Sequence, residues 1–132
     1  MAPAPRILVI MPDQWRRALL RAALREIGYD AIGARNMEDA GRYRAIEPGR
    51  GPVKLVVVDQ DAVVPATSEL RDILASHHDP PVVLVTHATH AAPIGPWSRI
   101  VSRPVSVADL VTAVESEVPL PTEARHPIDP AP

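Results

Sequence analysis

Three stretches of this chain carry apolar side chains with no polar alternation: RILVI (residues 6–10), KLVVVD (54–59) and VVLVT (82–86). A strand with one wet face alternates polar and apolar residues, so a run without alternation must be covered on both faces. That condition is met by a parallel sheet between two layers of helices, and it excludes most other ways of folding a chain this short. The segments between the runs fit the role. QWRRALLRAALREI is built from strong helix formers, follows Asp13 as a cap and stops at Gly28. Asn36 with Asp39 predicts the start of a second helix over about 37–46, although Gly41 inside it costs about 1 kcal/mol of propensity. A third helix is expected over 67–77, closed by DPP, and Ser106 with Asp109 reads as a capping box for VADLVTAVESE.

Two weaker strands, YDAIGA and RIVS, bring the number to five. Between VVLVT and RIVS stand Pro93, Gly95 and Pro96, so a fourth helix there is short or missing. Five strands alternating with helices predict an α/β fold of the flavodoxin-like, doubly wound type, with parallel strand order 2-1-3-4-5. Chemistry in such sheets gathers at the carboxyl ends of the strands, near the reversal between strands 1 and 3. Those ends are residues 11–13, 59–61, 86–87 and Arg103.

The 132 residues suit a single domain, expected over 5–118, with a proline-rich disordered tail over 119–132. Only 3% of residues are aromatic and none is Phe, so the core must be aliphatic. No apolar stretch approaches the roughly 18 residues of a membrane span, and no signal-peptide pattern opens the chain. There is no cysteine, hence no disulfide and no thiolate zinc site. A cytoplasmic protein is expected. A net charge of −2 gives no reason to expect nucleic-acid binding.

KLVVVDQD, PVVLVT and RIVSRPVSVADLVTAV, in that order, resemble the third strand, fourth strand and fifth strand with last helix of bacterial response-regulator receiver domains. The resemblance covers about residues 5–118. It implies Asp59 as the phospho-acceptor, Thr86 as the switch hydroxyl and Arg103 in the place of the family's lysine. It also implies a role in two-component signalling and a need for Mg²⁺ held by two adjacent acids after strand 1. Here Met11 and Pro12 occupy those positions, with Asp13 one step later. A thioether does not replace a hard oxygen ligand. His87 stands where the family has a small residue, and an arginine fork is not equivalent to a lysine ammonium. The expected pocket therefore combines Asp13, Arg16, Asp61 and His87 around Asp59, with Arg16 or Arg103 supplying the charge that a metal would otherwise bring.

This reading describes a degenerate receiver that binds a protein partner, is not an enzyme and uses no cofactor. Two alternatives stay open. One is a working phospho-acceptor in which Asp13 and Asp61 help to hold Mg²⁺; the other is a small-molecule-binding domain. Trp15 with Arg17, Arg21 and Arg25 on the first helix is a candidate partner surface, set against an ordinary solvated face. His77, His78, His87 and His90 lack a third ligand at suitable spacing, so no metal site is expected. The oligomeric state is open.

Overall fold

The computed structural model describes residues 3–43, 50–63, 67–87 and 92–121. Strands β1 (Arg6–Ile10), β2 (Asp30–Ala34), β3 (Val53–Asp59), β4 (Val82–Thr86) and β5 (Arg99–Ser102) form one sheet in the order β2-β1-β3-β4-β5. Every pairing is parallel, which confirms the expected doubly wound topology. The helices are α1 (Gln14–Ile27), α2 (Met37–Ala40), α3 (Gln60–Val63), α4 (Thr67–Ser76) and α5 (Val107–Glu117).

Strand alternation sorts the aliphatic side chains into two cores. Ile7, Val9, Leu55, Val57, Val83 and Val85 face α1 and α5. Leu8, Ile10, Val56, Val58, Val82 and Leu84 face α2, α3 and α4. The three uninterrupted runs are thus buried on both sides, as their composition requires. The same alternation sends Met11 and Asp59, at the strand ends, to the α1/α5 side.

Several boundaries differ from the sequence expectation. The second helix was expected to reach 46 but stops at Ala40, because the chain turns through Gly41 and the Tyr43 hydroxyl donates to the carbonyl of Gly33 at 2.7 Å. Residues 44–46 of its expected length lie outside the described residues. Helix α3 was not foreseen; it is a four-residue turn directly after Asp59. Among the described residues no helix lies between β4 and β5. The expected domain end at 118 cuts through the core, since Leu120 is buried against the α1/α5 cluster and the Tyr29 hydroxyl donates to the Val118 carbonyl at 2.6 Å. The remainder of the expected tail, 122–132, lies outside the described residues.

The amino end of β2 is pinned by a two-point ion pair in which Arg50 donates to both oxygens of Asp30, at 2.9 and 2.8 Å. The hydrogen bond from Arg50 holds the Asp30 carboxyl below its ordinary 3.8, against burial, with Arg50, Arg6 and Arg25 adding favourable charge. A carboxyl lowered on folding contributes stability above its unfolded value and loses it as pH falls through the folded value. Arg50→Gln is therefore expected to lower stability by up to about 1 kcal/mol at neutral pH. That deficit should shrink below about pH 4 and vanish once Asp30 is protonated in both states. Urea melts of both proteins at pH 7 and pH 2.5 measure it; a gap of equal size at both values would contradict the assignment.

Candidate functional site

The site lies at the carboxyl ends of β1, β3 and β4, where strand 3 delivers Asp59 to the sheet rim. Asp59 is almost wholly buried, and its Oδ2 accepts from Nη2 of Arg103. Its Oδ1 accepts the backbone N–H of Asp61 at 2.9 Å, the bond that starts the α3 turn. A buried carboxylate needs such donors to offset its lost hydration. Arg103 follows β5 and precedes Pro104 through a cis peptide. Its guanidinium keeps only 19% side-chain exposure. Burial and then the nearby Arg16 guanidinium push the Arg103 pKa down, Asp13 partly opposing. A guanidinium nevertheless stays charged.

The expected pocket separates into two groups. Arg103 supplies the compensating charge. Arg16 does not pair with Asp59; it stands exposed in the first turn of α1 and lines a cavity together with Arg103. Asp13 is exposed and accepts the backbone N–H of Arg16 at 3.1 Å, so it is the cap of α1. Asp61 turns outward to His87, with Oδ1 and Nε2 2.7 Å apart, and Oε1 of Gln60 accepts the His87 backbone N–H at 3.2 Å. Thr86 is buried and its hydroxyl donates to Ser102 Oγ at 3.1 Å, on the sheet face opposite Asp59. Met11 is buried in the α1/α5 core.

These groups do not fit Mg²⁺. The ion needs several oxygens around an open octahedron. Here one carboxylate is held by a guanidinium, one caps a helix, one faces a histidine, and the neighbour on β1 is a thioether. The histidines are also dispersed. His77 lies at the opposite end of the sheet, where its Nδ1 accepts the Val53 N–H at 3.4 Å; His90 is outside the described residues.

The arginines expected as a partner surface have another use. Asp30 and Ala34 bond toward β1, so the carbonyls of Ala31 and Gly33 point away from the sheet at its β2 edge. Arg25 and Arg21 donate through Nε to the Ala31 carbonyl at 3.1 and 3.4 Å, while Arg17 donates to the Met11 carbonyl at 2.6 Å. The arginine stems cross β2 at Gly33, where a Cβ would come within 2.7 Å of the Arg21 side chain. Burial first, then repulsion from Arg25 and Arg17, lowers the Arg21 pKa, with Tyr43 opposing. Arg21 and Arg25 of the stripe thus also cover part of the β2 edge. Four-residue spacing beside an edge strand that carries a glycine was the available signal. Trp15 stays apart from it, 76% exposed.

No family model matches the chain, and no curated protein does. Solved structures match at low identity. A response regulator from Thermotoga maritima aligns at 17% identity over 87% of this chain and 98% of that one, with a TM-score of 0.63. The non-phosphorylated HemR receiver domain from Leptospira biflexa aligns at 20% identity over 89% and 96%, with a TM-score of 0.66. A structure described as an adenylate cyclase from Rhodopirellula baltica aligns at 16% identity over 87% of each chain, with a TM-score of 0.69. The fold of this chain is that of response-regulator receiver domains.

Proposed function

We propose that this chain is a degenerate receiver, a cytoplasmic signalling module that acts by binding a protein partner and is not driven by Mg²⁺-dependent phosphorylation of Asp59. The observation that carries this reading is the buried Asp59–Arg103 pair. In the receiver mechanism the acceptor carboxylate must meet a metal and a phosphoryl donor. Here it is already neutralised, and Met11 leaves no acid beside it. Phosphorylation shifts a two-state equilibrium only through differential interactions with the two states. A pair formed within the domain favours one state without a ligand. No helix among the described residues is long and apolar enough to cross a membrane.

The test is titration of ¹⁵N-labelled protein with Mg²⁺ and the phosphoryl mimic beryllofluoride. The amides of Asp59, Asp61 and Thr86 are expected to stay in place up to about 10 mM of each. Saturable shifts at those amides would establish the working phospho-acceptor instead.

A further inference from the structure

The cavity beside the ion pair has a composition that the receiver reading does not use. It is a partly open cleft of about 310 Å³ between the first turns of α1 and α5. Its buried lining is Met11, Val85 and Leu110, joined by the partly buried Val105 and Val107 and the exposed Pro104. Its polar side chains are Arg16 and Arg103. Arg103 is committed through Nη2 to Asp59. Among the described residues no carboxylate forms an ion pair with Arg16. Arg16 lies near enough for its charge to lower the Arg103 pKa, after burial. An anion between them would relieve that repulsion.

From this geometry we propose that the cavity binds a small monocarboxylate with an apolar body, its carboxylate on Arg16 and the free edge of Arg103, its body against Met11, Val85 and Leu110. The two helix ends add a favourable field, but Asp13 and Ser106 already occupy cap positions there, so the guanidinium groups carry the recognition. At the roughly 30 Å³ that a water occupies in the liquid, the space takes about ten non-hydrogen atoms. That suits a branched-chain or aryl-acetic acid and is too small for a nucleotide. Apolar walls with a few convergent polar groups are the usual make-up of a small-molecule site. The inference does not depend on whether the chain signals.

Phenylacetate, its neutral analogue phenylacetamide and inorganic phosphate are the probes, titrated into the full chain and followed by amide shifts. Phenylacetate should saturate below about 10 mM and move the amides of Met11, Val105 and Leu110. Phenylacetamide and phosphate should each bind at least about tenfold more weakly, since one lacks the charge and the other the body. Arg16→Gln should weaken phenylacetate by about tenfold or more while leaving the spectrum folded, because Arg16 is exposed. Val107→Thr, which puts a hydroxyl in place of a methyl, should weaken it several-fold through the lost apolar contact. The proposal is overturned if phenylacetate does not saturate, if the amide binds equally well, if phosphate alone matches it, or if Arg16→Gln binds as the parent does.

Discussion

Arg103→Ala is expected to destabilise the domain by about 3–5 kcal/mol. The reason is the carboxylate left behind. Asp59 has 2% side-chain exposure, and without Arg103 its one remaining donor described here is the Asp61 amide. A buried charge that loses its partner must neutralise, draw in water or move, and each is costly. For a domain of this size the melting temperature should fall by about 10 °C or more. Removing both charges should behave differently. Asp59→Leu combined with Arg103→Met should recover most of the loss, because a well-packed apolar pair often equals a buried ion pair in stability. Arg103→Lys should fall between, since an ammonium keeps the charge but not the planar fork. Equilibrium denaturation of the four proteins decides the matter. If Arg103→Ala stays within about 0.5 kcal/mol of the parent, Asp59 is not held by that arginine, and the account of a pre-neutralised acceptor fails.

Leu120→Ala is the second large effect, expected to cost about 2–4 kcal/mol. Leu120 is 6% exposed and packs in the cluster that joins α1, α5 and the α1 face of the sheet. The contact is reinforced next door, where the Tyr29 hydroxyl is bonded to Val118. A chain ended at Val118 should lose a similar amount relative to one ended at Pro121. Thermal melts of the substituted and shortened proteins give the answer. A stable, unshifted chain ending at Val118 would return the domain boundary to the position the sequence suggests.

That boundary shows why part of the fold could be read and part could not. The strand runs were legible because uninterrupted aliphatic character has few structural explanations. The caps at Asp13, Asn36 and Ser106 were legible because they depend on residues three positions apart. Leu120 was not, because one apolar residue between two prolines looks like tail until a distant strand is known to face it. Arg6 was missed for the same reason. It opens an apolar run, yet it is fully buried and donates to the Gly51 carbonyl at 2.7 Å, a partner 45 residues away. In the site, the position of Asp59 and its need for a cation were predictable. The choice between Arg16 and Arg103 was not, since it turns on which side of the α1 turn each guanidinium lies.

The arginines over β2 have a consequence for crowded solutions. An exposed sheet margin can recruit a strand from a neighbouring molecule, and repetition of that step makes a fibre. In this molecule one margin has its outward carbonyls occupied by Arg25, Arg21 and Tyr43. A strand arriving at that margin would have to displace those donors before it could pair, so recruitment there carries a cost that a bare edge would not impose.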